Sequence, residues 1–274
     1  MSRQIGKLLL LGILCGIGSG ISFFSEMVEV SLNDIIKYLA FGEFEIGKGY
    51  VIFFLKQYFP YLIFQAIWGT YLYQRFCTGS VYYFSRMESR SGWYRQESGK
   101  LFLMVGVFFF AYLLAVTVVI GIKYGVSFEP SNIWFGIFYL VTQVLWLYMM
   151  TLLTNVVSVI WGSSRGYLMI ASIVFVSLSY FVLFEDVLDF SIQENLLLKS
   201  ILLKINPLSH IVLKWHSCGV KAVNMQLRVL GIDFSIGNSV ILLLVGAILS
   251  TRFGKHVIEK QEFIVLNRET GGTL

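Results

Sequence analysis

The chain contains six long stretches in which nearly every residue is apolar. A helix that crosses the hydrocarbon core of a bilayer needs about 20 such residues, and long apolar runs of this kind are typical of membrane spans rather than of soluble helices or strands. They predict an all-α polytopic membrane protein with six transmembrane helices. The stretches are 8–24, 59–73, 101–122, 133–161, 167–184 and 239–253, of which the second and sixth are the shortest.

The composition agrees with this class. Of 274 residues, 57% are hydrophobic and only 14% are charged, whereas about 25% of residues are charged in an average soluble domain. We therefore treat residues 1–274 as a single transmembrane domain.

The distribution of Lys and Arg predicts how the spans are oriented, because positively charged loops stay on the cytoplasmic side. With the N-terminus inside, the inner segments carry twelve cations and five acids, and the outer segments nine cations and eleven acids. This predicts a multi-pass protein of the cell membrane with both termini cytoplasmic. The overall charge of +5 then reflects topology and contact with membrane lipid, and we expect no nucleic-acid partner.

One short motif suggests ATP binding. GEFEIGKGY, residues 42–50, completes G-x-x-x-x-G-K and lacks the Ser or Thr that would bind Mg²⁺. A phosphate-binding loop also has to lie between a buried strand and a helix. This one lies in the predicted outer loop between the first two spans. We therefore interpret it as a glycine-rich turn and expect no ATPase site in this chain.

The first inner loop, 74–100, is much longer than the turn that joins the fourth and fifth spans. If residues 75–90 are helical, Phe76, Tyr83 and Met87 share one face and three arginines lie on the adjoining one. Ser91 and Gly92 are expected to break this helix, and residues 93–97 to restart it. An amphipathic helix of this kind either anchors the loop at the membrane surface or docks into a groove of a partner protein.

The outer loop, 185–238, is unusually apolar. Residues 196–215 are too interrupted to span as one helix and too apolar for a solvated loop. Asn206 and Pro207 favour a hinge between two short helices, because helix is disfavoured at the residue before a proline. The segment is then either a pair of re-entrant helices covered by protein, or a small extracellular helical cap.

This arrangement resembles the permease subunits of type 2 ATP-binding cassette (ABC) exporters over nearly the whole chain. The resemblance implies that the first inner loop holds a coupling helix that inserts into a separate ABC-type ATPase subunit, which binds ATP and Mg²⁺; the permease itself would need no cofactor. The six residues before Lys7 leave little room for the N-terminal surface helix of many relatives. The candidate coupling residues are Tyr82, Tyr83, Arg86, Arg90, Trp93, Tyr94 and Arg95.

The resemblance also implies a pair of permeases, formed by two copies or by homologous chains, in which the first span takes part. Independently, Gly12, Gly16 and Gly20 repeat every four residues on one helix face. Small residues at this spacing allow two helix backbones to approach closely. The sequence leaves open whether this glycine ladder meets a second chain or a helix of its own.

Polar residues inside the spans are few. Gln65, Gln143, Thr151 and Asn155 either line a translocation path or form hydrogen bonds between helices. Ionisable residues are absent from the span centres, which argues against a proton-driven carrier.

Enzymatic signatures are missing. The sequence has no H-E-x-x-H motif and no evident serine with an adjacent base. His210, His216 and Cys218 do not have a recognised zinc spacing, so we expect no metal site and no catalytic residues.

Together these features predict an ABC-exporter permease that moves an amphipathic substrate out of the cell, with an antimicrobial peptide or bacteriocin as the first expectation. Drug or lipid export is a close alternative for the substrate. A different class of protein also fits: a stand-alone membrane immunity or sensor protein that binds a toxin or partner without ATP.

Overall fold

A computed structural model of the chain describes residues 2–25, 29–41, 51–79, 89–128, 130–183, 196–217 and 234–261. These residues are mostly helical, and six of the helical segments are long and apolar enough to cross a membrane. Each of the six predicted stretches overlaps one of them. The helices are α1 Ser2–Ile21, α2 Leu32–Leu39, α3 Val51–Trp68, α4 Tyr71–Gly79, α5 Arg90–Tyr124, α6 Pro130–Trp161, α7 Ser163–Leu183, α8 Leu196–Ile205 and α9 Ile236–Lys260.

Short elements join the helices at one end of the bundle. Strands β1 (Val30–Ser31) and β2 (Val126–Ser127) pair in parallel, and Ser31 and Asp34 form a reciprocal cap at the start of α2. At the other end, Gly162 joins α6 to α7 with a φ of 94°, a left-handed conformation that glycine adopts without steric cost.

The second span begins earlier than the apolar run alone indicates. Helix α3 starts at Val51, eight residues before the predicted boundary, because Lys56 and Gln57 interrupt the hydropathy without interrupting the helix. The segment continues into α4 after a break at Gly69 and Thr70.

The expected helix break at Ser91 and Gly92 is wrong. Helix α5 begins at Arg90 and continues through both residues for 35 residues in all. The Oγ of Ser89 accepts a hydrogen bond from the backbone N–H of Gly92 at 3.2 Å, so Ser89 caps the helix in the manner that serine favours. The interruption of the helix therefore comes before Arg90.

The glycine ladder lies against α5 of the same chain. A Cβ added to Gly12 would stand 2.7 Å from the carbonyl oxygen of Phe108, and one added to Gly16 would stand 2.6 Å from that of Tyr112. The two backbones therefore pack closely through small residues, as in many transmembrane helix pairs. Of the two partners that the sequence leaves open, this structure assigns the ladder to α5.

Aromatic side chains fill the centre of the bundle. Tyr58 and Tyr61 on α3 stack with ring centroids 5.1 Å apart, and Trp146 on α6 meets both rings edge-on. Trp146 is fully buried. These rings join α3 to α6 in the buried core of the bundle.

The apolar segment after α7 is docked onto the bundle. Helix α8 ends at Ile205, directly before the predicted hinge, and two 3₁₀ turns follow at Pro207–Ile211 and Leu213–Trp215. The side chain of Asn206 donates to the Ser177 carbonyl at 3.0 Å and accepts from the Leu208 N–H at 2.9 Å. The Trp146 indole N–H donates to the Pro207 carbonyl at 2.9 Å. These bonds fix the chain direction at the hinge.

Candidate functional site

A charged cluster lies where α4 approaches the start of α5. Its centre is Glu97, which is only 3% exposed. One carboxylate oxygen accepts from Arg75 at 3.2 Å and from the Tyr71 hydroxyl at 2.9 Å, and the other accepts from Lys100 at 2.6 Å. The two cations thus compensate the buried carboxylate, as a buried charge requires, and the cluster carries a net positive charge.

Helix α5 is longer than a membrane crossing requires. Its 35 residues extend about 52 Å at 1.5 Å per residue, whereas a hydrocarbon core is about 30 Å thick. The charged residues of α5 are concentrated at its Arg90 end, and there the Arg90 guanidinium donates to the carbonyl of Gln261, just after α9, at 3.2 Å. The ends of α4, α5 and α9 therefore form one charged end of the bundle, which we call the basic end.

The structure describes four of the seven candidate coupling residues, the aromatic pair Trp93 and Tyr94 and the arginines Arg90 and Arg95. Tyr82, Tyr83 and Arg86 lie outside the described residues. Trp93 and Tyr94 were expected on a docking surface, but they are 8% and 1% exposed.

These two aromatic side chains pack inside the basic end. The ring centroids of Trp93 and of Phe76 on α4 are 6.2 Å apart, and Tyr94 contacts α9 at Gly254. Any contribution of these two rings to coupling would therefore act through the packing of α5 against α4 and α9. Arg90 is half-buried, whereas Arg95 is exposed beside them.

Hydrogen bonds of Gln65 and Asn155 join α6 to α3 and α4. Gln65 donates to the Thr151 hydroxyl at 2.9 Å. Asn155 donates to the Gly69 carbonyl at 2.8 Å and accepts from the Tyr73 N–H at 3.0 Å. Because Gly69 lies in the break between α3 and α4 and Tyr73 lies in the first turn of α4, Asn155 satisfies backbone groups that the break leaves without helical partners.

Gln143 makes a similar connection near the middle of α6. It accepts from the Tyr61 hydroxyl and donates to the Ile211 carbonyl at 3.1 Å, so it joins α3 to the docked segment. All four predicted path residues are buried and bonded within the chain. The structure brings them together as ties between helices, and their role in a translocation path stays a prediction.

A serine with two histidines is the grouping that the sequence did not reveal. The Oγ of Ser239 on α9 lies 2.9 Å from His210 Nδ1 and 2.7 Å from His216 Nε2. The other ring nitrogens face the carbonyl oxygens of Lys204 and Val212, each at 3.0 Å. Serine and histidines are 23 and 29 residues apart in the chain, and no local pattern connects positions so far apart.

With both imidazoles neutral, the two rings and the Ser239 hydroxyl supply three protons for these four contacts. One of the four contacts therefore lacks a proton, and the tautomer of each ring decides which one. Burial lowers the pKa of both histidines, and that of His216 to about 3, so His216 is neutral at physiological pH.

The arrangement resembles a nucleophile and its base, but a substrate has no access to it. Ser239 and His216 are each 1% exposed. The described residues contain no group of three side chains that could hold a metal ion, and Cys218 lies outside them. In this structure the cluster joins the docked segment to α9.

Comparison of the chain with known protein families, with curated proteins and with solved structures finds no match. Function therefore has to be inferred from the arrangement of the residues themselves.

Proposed function

We propose that this chain is an integral membrane protein that serves as the permease subunit of an ABC-type exporter. The outward-facing side chains support the membrane part of this proposal. Residues such as Ile52, Ile122 and Phe175 are 75%, 81% and 70% exposed on three of the six long helices, and a protein in water would not leave so much apolar surface uncovered.

The observation that carries the transporter part is the basic end. There the charged start of α5 reaches beyond the length of a membrane crossing. Helix α4 precedes residues 80–88 in the chain and α5 follows them. A cytoplasmic ATPase subunit would dock there, and closure of that subunit on ATP would displace α5 and α9 together, because Tyr94 and Arg90 join them.

The substrate path of such a permease would lie between two copies of the chain or between two homologous chains. Gln65, Gln143, Thr151 and Asn155 of one copy each make hydrogen bonds between helices of that copy, which is the usual use of such groups inside a membrane. The docked segment at residues 196–217 would shape the outer exit, whether as re-entrant helices or as a cap. An amphipathic peptide is the substrate class that we propose.

The test is purification of the chain from its own host in mild detergent, followed by identification of proteins that copurify in equal amounts. We expect an ATPase with an intact phosphate loop. Arg95→Ala should reduce its recovery, because Arg95 is exposed at the basic end. Arg165→Ala is the matched control, since Arg165 is an exposed arginine near the Gly162 turn, predicted to lie on the same side of the membrane.

Burial of Trp93 and Tyr94 favours a second candidate, a stand-alone immunity or sensor protein that binds its partner without ATP. These residues were the aromatic candidates for a docking surface among the described residues, and they are not available for one. Such a protein would retain its activity when residues 80–88 are replaced by a short basic linker. Recovery of the intact permease without any ATPase would support this candidate and exclude the exporter.

A further inference from the structure

A cleft of about 550 Å³ opens between α1 and α3, which is within the range of roughly 300–1,000 Å³ usual for small-molecule sites. Tyr112 on α5 and Tyr38 on α2 line its inner wall. It opens outward between exposed apolar residues, of which Leu14 is 55% and Phe59 58% exposed. In a membrane this opening would face lipid.

The lining changes from apolar to polar along both helices. On α1 it runs from Leu11, near the middle of the helix, to Ser22, just after its end. These positions are about 16 Å apart at 1.5 Å per residue, about half of the ~30 Å hydrocarbon core. On the antiparallel α3 the same direction runs from Ile63 to Lys56. The cleft therefore has the depth and the polarity of one leaflet.

At the polar end of the cleft, Gln57 and Lys56 each have a polar group that can bind a ligand. The amide of Gln57 donates to the Tyr38 carbonyl at 2.6 Å, which fixes the orientation of the amide and leaves its Oε1 without a partner. The Gln57 side chain lines the cleft and is only 9% exposed. A buried acceptor without a hydrogen bond is destabilising, so a ligand that donates to it gains affinity.

Lys56 supplies the second group. It is exposed at the mouth of the cleft, and its ammonium group lies 5.8 Å from the centroid of the Tyr38 ring. Among the described residues no carboxylate lies within ion-pair distance of it. The smaller cleft at the basic end differs in this respect, because its cations Arg75 and Lys100 are both paired with Glu97.

We propose that this cleft binds a membrane phospholipid whose headgroup carries both a phosphate and a hydrogen-bond donor. The phosphate pairs with Lys56, the donor bonds to the Oε1 of Gln57, and an acyl chain lies along Leu11, Leu14, Phe59 and Ile63. Phosphatidylethanolamine and phosphatidylglycerol meet these requirements. Phosphatidylcholine lacks the donor. The proposal rests on membrane insertion and is independent of any ATPase.

Cys15 provides a direct measurement, because it lines the cleft and is a half-buried free thiol. In a Cys77→Ser, Cys218→Ser background it is the remaining cysteine of the 274-residue chain. The purified protein is titrated in detergent with each phospholipid, and the rate of Cys15 alkylation by a maleimide is measured. At ten times its Kd, a bound lipid leaves about one-eleventh of the sites free, so alkylation slows about tenfold.

We expect this protection from phosphatidylethanolamine and phosphatidylglycerol, and much less from phosphatidylcholine. Lys56→Gln should weaken the binding of all three lipids. Gln57→Leu should remove the preference over phosphatidylcholine. Lys37→Gln is the control, since Lys37 is paired with Asp34 on α2 at 3.5 Å and does not line the cleft.

The proposal is overturned if none of the lipids slows alkylation of the otherwise unaltered protein, a measurement that does not depend on either variant folding. Unchanged binding of the three lipids in Lys56→Gln, or an unchanged preference over phosphatidylcholine in Gln57→Leu, would also overturn it. Protection that follows protein concentration instead of lipid concentration would assign the cleft to a second copy of the chain.

Discussion

Replacing Gly16 with alanine should destabilise the packing of α1 on α5. The added Cβ would stand 2.6 Å from the Tyr112 carbonyl oxygen and 2.7 Å from the Ala115 Cβ. Ordinary contact begins at 3.4 Å, so the helices would have to separate by several tenths of an ångström. Backbone atoms and a methyl group on a helix cannot rotate away as a flexible side chain would.

The magnitude follows from two opposing effects. Overpacking of a tight contact costs about 1–3 kcal/mol, while alanine improves on glycine in a helix by up to about 1 kcal/mol. Gly18→Ala isolates the second effect, because an added Cβ at Gly18 meets nothing within 4 Å. We therefore expect Gly16→Ala to be less stable than Gly18→Ala by about 1–3 kcal/mol.

The assay is reversible unfolding of the purified protein in detergent, with the oligomeric state measured in parallel. Separation of α1 from α5 would also weaken the hydrogen bond from the Tyr112 hydroxyl to Ser19, now 3.0 Å long. Equal stability of the two variants would refute the close approach of α1 and α5. A change in oligomeric state with unchanged stability of the monomer would instead place the glycine ladder between two chains.

Three further predictions concern the charged and aromatic groups. Glu97→Gln should lower the free energy of unfolding by about 1–3 kcal/mol, because charged hydrogen bonds of a buried carboxylate are lost. The control Glu259→Gln removes only an exposed ion pair with Lys255 and should cost at most about 1 kcal/mol. Equal losses would contradict the stabilising role of the charged cluster around Glu97. Trp93→Ala should cost about 3–5 kcal/mol by emptying a buried site, whereas the exposed Arg95→Ala should leave unfolding unchanged, and the reverse order would show that Trp93 faces outward. The pKa of His216 is lowered to about 3 in the folded protein, against a value near 6.5 in the unfolded chain. The free energy of unfolding is therefore highest above pH 6.5 and declines as the pH falls from 6.5 toward 3, by about 2 kcal/mol at pH 5. His216→Asn should reduce the difference in thermal stability between pH 7 and pH 5, and an unchanged difference would assign the pH dependence to other groups.

The sequence predicted six long apolar helices because hydropathy is a local property, and each stretch contains its own evidence. The hinge before Pro207 was predictable for the same reason, since proline restricts the residue that precedes it. Helix ends were harder to place. Lys56 and Gln57 lowered the apparent hydropathy of α3, and the cap at Ser89 competed with Ser91 and Gly92 as the start of α5.

Tertiary packing decided which of two plausible surroundings each remaining residue has. The glycine ladder suits any close helix partner, and only the path of the chain brings α5 to it. Trp93 and Tyr94 are equally compatible with a docking surface and with a core until α4 and α9 cover them. The Ser239 cluster and the Gln57 cleft join residues that lie far apart in the sequence, and such contacts depend on how helices cross in three dimensions rather than on any pattern along one of them.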